Sequence, residues 1–197
     1  MGAASWFAPL GDRLVTRALS GRVVLWSWPD LVRIGEVRAH PKKVTAHAFT
    51  ADGEHIVTCG LEGSVAVTRL ADAEIIETRS LGDAPLVNLG FMPDSGHLLV
   101  FIHQGGAHLL SWPDLQDVAS SGMARPGVYT LAFHPSEEVF AMCVERGVEV
   151  RRNANLELLT TLEIPAKGVY TVAFSPDDRW LAAAGADQRI RVWSTTS

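Results

Sequence analysis

Phe7, Phe49, Phe91, Phe133 and Phe174 follow one another at intervals of 42, 42, 42 and 41 residues. Each opens a matching stretch of chain: WFAPLGDRLV, AFTADGEHIV, GFMPDSGHLLV, AFHPSEEVFA and AFSPDDRWLA lie over one another without a gap. Carried 19 residues beyond each phenylalanine, the same frame places Trp26, Thr68, Leu110, Arg152 and Trp193. A period of about 40 to 45 residues is too long for one coil of a solenoid and suits a four-stranded blade of a β-propeller. Five copies therefore predict five blades, divided at residues 1–40, 41–82, 83–123, 124–164 and 165–197 of a single domain.

Inside a period the apolar residues alternate, which indicates half-buried strands rather than helices. The fifth copy is the clearest. Val169 to Phe174 forms one strand, Ser175-Pro176-Asp177-Asp178 a turn, Trp180 to Ala184 a second strand, Gly185 to Gln188 a turn, and Arg189 to Trp193 a third strand with Ile190 and Val192 on one face. A fourth, outer strand is expected over residues 31–39, 73–81, 115–121 and 156–164. No stretch longer than about ten residues keeps a helical period without Gly or Pro, so the fold class is all-β.

FSPDDRWLAAAGADQRIRVW resembles a repeat of the WD-repeat β-propeller family, which carries an SPDG-like turn, an Asp between the second and third strands, and a Trp closing the third. The likeness spans the chain. It is strong in the fifth copy, fair in the first (GRVVLWSW) and second (FTADGEHIVTCG), and weak in the third and fourth, where Leu110 and Arg152 stand for the tryptophan. The family's network of His, Ser/Thr, Asp and Trp is incomplete in every copy: the fifth has Asp187 and Trp193 without the His, and the second has His40 with Glu62 and Thr68. Trp26 and Trp193 are expected to pack.

The resemblance implies a protein-interaction scaffold rather than an enzyme. It implies contact through the loops that lead into the first strand and that join the second to the third. By position these loops offer Ala3, Thr45, Val87, Tyr129 and Tyr170, with Arg125, Arg146, Lys167 and Gln188 close by in sequence. Tyr and Arg are favoured at interfaces. Trp28 and Trp112 recur in the string S-W-P-D-L and either cover the blade rim or anchor a partner.

Composition bounds the partners. The chain has 197 residues, 47% of them hydrophobic, enough for a sizeable buried core. A net charge of −5 argues against a general nucleic-acid binder, and Lys42-Lys43 and Arg151-Arg152 are expected on solvated loops and strand faces. The longest apolar strand run, Leu98 to Ile102, is too short to cross a bilayer. MGAASWF has neither the basic nor the apolar region of a signal peptide, and Trp6 stands where a myristoylation pattern wants Ser or Thr. Cys59 and Cys143 hold the same position two blades apart, too far for a disulfide, and buried reduced thiols point to the cytoplasm.

Chemical motifs are sparse. There is no Gly-rich phosphate loop, no His-Glu-x-x-His and no nucleophile elbow, so no cofactor or metal is expected. His97, His103 and His108 are the nearest approach to a ligand set: His103 and His108 would face each other across a hairpin turning at Gly105-Gly106. The alternative is a pair of polar surface residues. Asp52, Asp177, Asp178 and Asp187 are placed for Asx-type turn bonding.

Counting strands, the last blade lacks its outer strand, and the five blades form either a closed ring or a partial arc. The third strand of the fifth blade is then a free edge, to be completed by another chain or a second copy. Besides the scaffold, the chain fits a fragment or subunit of a larger propeller without independent activity, or a propeller enzyme that binds metal or a small molecule.

Overall fold

The computed structural model describes residues 4–17, 20–93, 95–103, 106–122, 130–136, 138–165 and 168–195. These residues form strands and turns only. The first sheet is β1 (Ala4–Phe7), β2 (Arg13–Arg17), β3 (Arg22–Ser27) and β4 (Arg33–Arg38). The second is β5 (Val44–Phe49), β6 (His55–Gly60), β7 (Ser64–Arg69) and β8 (Ile75–Ser80). The third is β9 (Leu86–Phe91), β10 (Leu98–Ile102), β11 (Gly106–Leu110) and β12 (Asp117–Gly122). The fourth is β13 (Leu131–Phe133), β14 (Val139–Val144), β15 (Gly147–Arg152) and β16 (Leu158–Glu163). The fifth has three strands, β17 (Val169–Phe174), β18 (Trp180–Gly185) and β19 (Ile190–Ser194), with β19 at its edge.

Every sheet is an antiparallel meander in sequence order, the topology of a propeller blade. Where a fourth strand is present, its pairing with the third shifts register at the same place, after Leu25, Val67, Leu109 and Val150. The chain divides into two compact units, Met1–Phe91 and Met92–Ser197.

Alternation gives each sheet two faces, and sheets bury them against one another. In the first unit, Val15, Val23 and Leu25 of the first sheet share a core with Val44, Ile56, Ala66, Leu70 and Ala73 of the second. In the second unit, Ala141, Cys143 and Val148 of the fourth sheet meet Val169, Val172, Leu181 and Ala183 of the fifth. Phe101 of the third sheet meets Phe140 of the fourth, ring centroids 6.3 Å apart. The same repeat positions are used each time. A fully buried Leu or Ile contributes about 1.5–3 kcal/mol, so these interfaces carry the fold.

The turn from third to fourth strand is also repeated. Leu31, Ala73, Leu115 and Leu156 hold φ of 54, 63, 51 and 61°, and each amide donates to the carbonyl four residues back, on Ser27, Arg69, Ser111 and Arg152. A left-handed non-glycine residue costs about 1–2 kcal/mol. Burial of the side chain offsets that cost for Ala73, Leu115 and Leu156. Ala73 packs closely on Gly35 of β4, where an added Cβ would come within 2.8 Å. Leu31 alone of the four is exposed.

Two expectations fail in the fourth sheet. Phe140 pairs with Arg151, as Leu14 pairs with Trp26 and Leu181 with Trp193, so Arg151 and not Arg152 holds the closing tryptophan's place. The β14–β15 hairpin turns on two residues, Glu145 and Arg146, and is one residue shorter than its counterparts. Nor is Arg151 solvated. Its guanidinium is buried, with Nε 2.9 Å from Glu149 Oε2 and Nη1 2.7 Å from the Leu156 carbonyl.

Glu149 and Arg151 lie two apart on one strand face, so each neutralises the other inside the sheet stack. Removing one strands a buried charge. Arg151→Met is expected to lower stability by about 3–5 kcal/mol, and Glu149→Leu with Arg151→Met to recover most of it. Urea denaturation of the two variants measures both.

Candidate interaction surfaces

In an antiparallel meander the loops into the first strand and between second and third strands lie at one end of a blade. Among the described residues expected there, Tyr170 is 51% exposed. It sits at a register shift in β17, its ring lies against Gly168, and its carbonyl accepts Thr130 Oγ1 at 2.6 Å. Arg146 and Gln188 are exposed in tight turns. Gln188 has φ 60°. Thr45 instead turns inward, its hydroxyl donating to the Cys59 carbonyl at 3.0 Å while its own carbonyl accepts Arg17. Val87 is half-buried in β9. Ala3, Arg125, Tyr129 and Lys167 lie outside the described residues.

At the opposite end of the first sheet is an apolar surface of which the sequence singled out Trp28 alone as an anchor. Phe7, Leu10, Trp28, Leu31 and Val32 are all exposed there. Trp28 stands edge-on to Phe7, centroids 4.9 Å apart, and its amide donates to the Asp12 carbonyl. Leu10 lies over Gly53, whose φ of 70° favours glycine there. Beside it a groove of about 320 Å³ is lined by Asp12, Arg13, Glu54, Arg69 and Leu70. Trp112 is half-buried, so the two S-W-P-D-L strings differ in environment.

One buried and one half-buried cluster brace the first unit. His40 is enclosed, with Nδ1 2.5 Å from Glu62 Oε1 and Nε2 2.8 Å from Thr58 Oγ1, and Ser64 donates to Glu62 at 2.6 Å. Burial pulls the Glu62 carboxyl upward, but the hydrogen bonds from Ser64 and His40 outweigh it and hold it below its ordinary value. Thr68, expected in this network, stays out: its hydroxyl is buried without a hydrogen-bond partner, and Thr58 and Ser64 take the positions. An added Cβ at Gly60 would meet Glu62 Oε1 at 2.3 Å, so glycine makes room for the carboxylate. In the second cluster His47 lies between Trp6 and Phe49, centroids 3.7 and 5.5 Å away. Arg17 covers Trp6 at 5.3 Å. Burial first, and then the Arg17 charge, lower the His47 imidazole to about 4.

The expected histidine pair does not form. His108 is paired with Val100, while His103 lies in the turn beyond β10, because Ile102 opposite Gly106 closes the ladder first. His108 Nδ1 instead contacts Asp117 Oδ1 at 2.9 Å. Asp52, Glu54 and His55 bring ligand atoms within 4.8 Å of one another. Asp52 Oδ1 is already engaged by Thr50 Oγ1 at 2.5 Å and the Glu54 amide at 2.8 Å, as an Asx turn requires. Asp177 is held likewise by Ser175 and Arg179. In the second unit a cleft of about 250 Å³ lies between Val150 and Leu162 of the fourth sheet and Phe174, Leu181 and Trp193 of the fifth, with His134 at its wall. Trp26, the counterpart of Trp193, is half-buried and donates to Thr16 Oγ1 at 3.0 Å.

Both cysteines are free and buried, and burial raises their thiols to about 11 for Cys59 and about 12 for Cys143. Reaction with a thiol reagent at pH 8 should be negligible in the native protein and reach both thiols after denaturation. The His47 site gives a second expectation. Its folded value lies below the unfolded 6.5, so the unfolded chain takes up the proton first as pH falls. Its contribution is complete above pH 6.5 and lost toward pH 4, a change on the order of 2–3 kcal/mol. His47→Phe should flatten that slope in denaturation midpoints measured across the window.

The model of the family described as WD domain, G-beta repeat matches residues 31–67 and 156–194. Each matched segment runs from an outer strand into the inner strands of the next sheet. The chain is 23% identical over 91% of its length to WD repeat-containing protein SL1-17 of Schistosoma mansoni, and 23% identical over 88% to the Periodic tryptophan protein 2 homolog of Dictyostelium discoideum. It spans 60% of the first relative and 19% of the second. Among solved structures, Kuenenia stuttgartiensis Hydrazine Synthase matches with a TM-score of 0.81 at 19% identity, over 92% of this chain and 54% of that one, a likeness of fold. Among the described residues no helix is long and apolar enough to cross a membrane. With its blades and its repeat, the chain has the fold of a β-propeller, and residues 31–67 and 156–194 match the WD-repeat model.

Proposed function

We propose that this chain is a protein-interaction scaffold that acts in the cytoplasm, without catalytic activity of its own. WD-repeat proteins are generally such scaffolds. The observation that carries the reading is the exposed aromatic and apolar surface at both ends of the blades, Tyr170 with Arg146 and Gln188 at one and Trp28 with Phe7 at the other. Aromatic and Arg side chains on a rigid sheet suit a protein partner. The cleft beside Trp193 is largely apolar, which favours binding over chemistry. The net charge of −5 speaks for protein rather than nucleic-acid partners, and the two buried thiols for a reducing compartment.

Because the chain spans 60% of its Schistosoma relative, a place as one part of a larger propeller or assembly is the second reading. The place of β19 at the edge of its sheet among the described residues fits that role, since an edge strand can take an added strand. Affinity capture from the native cells, followed by identification of bound proteins, tests the scaffold reading. Tyr170→Ala is expected to weaken the captured interaction at least tenfold with the melting temperature nearly unchanged. Loss of folding in that variant, or undiminished binding, would remove Tyr170 from the interface.

A further inference from the structure

The two terminal sheets each leave open one half of an interface that the chain builds repeatedly within itself. On the following face of a blade, two third-strand positions are Val23 and Leu25, Val65 and Val67, Ala107 and Leu109, and Val148 and Val150 in the first four sheets. Seven of these eight side chains are buried and Val150 is half-buried. The fifth sheet places Ile190 and Val192 there, and they are 76% and 57% exposed. Ala182 and Ala184 lie between them and β17, and Trp180, 47% exposed, stands at the end of the same face.

The preceding face of the first sheet is the mirror case. Phe7 is 53% and Leu31 51% exposed, and Trp28 lies open beside them. The counterparts of Trp28 and Leu31, which are Leu70 and Ala73 in the second sheet and Asn153 and Leu156 in the fourth, are buried, and the counterparts of Phe7, which are Phe49 and Phe133, are half-buried. In the second sheet that face is covered by Val15, Val23 and Leu25, the residues at the positions of Ala182, Ile190 and Val192. The exposed face of the fifth sheet is therefore the kind of surface on which a Phe–Trp–Leu face is built to sit.

We propose that the Ile190–Val192 face of one copy takes the Phe7–Trp28–Leu31 face of a second copy, head to tail, as a blade-on-blade contact. The chain itself carries both halves and repeats their packing in the core of each unit, Val23 and Leu25 on Ile56 and Leu70 in one, Val148 on Leu181 and Ala183 in the other. Such a contact is heterologous: the two surfaces differ, so a copy using one keeps the other free. It gives the fifth sheet the neighbour that its alternating pattern is made for. It also covers Leu31, the left-handed residue whose strain burial does not yet offset. The proposal deepens the reading of the chain as a protein-binding scaffold by naming a partner, but its test needs only the purified chain.

Sedimentation of the purified protein from 1 to about 100 µM should show association to at least twice the 21.3 kDa of one chain. Ile190→Asp with Val192→Asp removes one face, and Trp28→Ser with Leu31→Ser the other. Each double variant alone should stay monomeric, while an equimolar mixture should form a one-to-one dimer through the single pair of intact faces. Circular dichroism checks folding, and Ile190→Thr with Val192→Thr, which keeps β-branched side chains, replaces the aspartate variant if that one unfolds. A wild-type monomer throughout the range would overturn the proposal, whether its two faces are solvated or closed on each other within the chain. Variants that associate like the wild type, or monomeric variants that fail to pair when mixed, would overturn it as well. Capture of other proteins by the face variants would leave the scaffold reading standing on its own.

Discussion

Face-to-face burial of short sheets is the interaction on which everything else here depends. Each sheet is too small to bury its own apolar surface, because a meander of three or four strands has two faces and no interior. Val23 and Leu25 are dry only because Ile56, Leu70 and Ala73 lie over them, and Val148 only because Leu181 and Ala183 do. The left-handed turns belong to the same arrangement. They swing Ala73, Leu115 and Leu156 into buried positions, and the conformational cost is met by the packing that results.

Charged groups buried in this stack are met by partners from the sheets. His40 reaches both Glu62 and Thr58, and Gly60 leaves the space that the carboxylate occupies. Arg151 stands where other blades have Trp, Thr or Leu, and it is tolerated with Glu149 because each cancels the other's charge while the Leu156 carbonyl accepts a further guanidinium hydrogen bond. The two solutions differ in chemistry and share one requirement, that no charge be left alone in the interface.

Surfaces not consumed by packing are where a scaffold can act. In the second unit these include Tyr170 at one end and the Ile190–Val192 face of the terminal sheet, and in the first the Phe7–Trp28 surface. Their exposure has two different origins. Tyr170 is turned out by a register shift in its own strand, whereas Ile190 and Phe7 are blade-interface positions that no sheet among the described residues covers. The first kind of surface is local to one blade. The second is made by the repeat itself and is therefore matched to another blade.

The sequence alone determined the repeat, its period and nearly every strand, because alternation of apolar residues and turn chemistry are local properties that recur five times. Val169–Phe174 is bounded by Gly168 and Ser175, and the structure gives the strand those limits. What needed the tertiary structure was anything decided by one residue of register or by a neighbour distant in sequence. A two-residue hairpin moved the closing position of the fourth blade from Arg152 to Arg151 and buried a charge expected in solvent. Early closure of the β10–β11 ladder separated His103 from His108. Thr68 was displaced from the His40 network by Thr58 and Ser64, which the frame of the repeat did not single out. Ile190 and Val23 read alike in the sequence, as β-branched residues at equivalent strand positions. Only the presence or absence of a facing sheet decides that one is core and the other is surface, since burial is a property of two surfaces together and not of either residue.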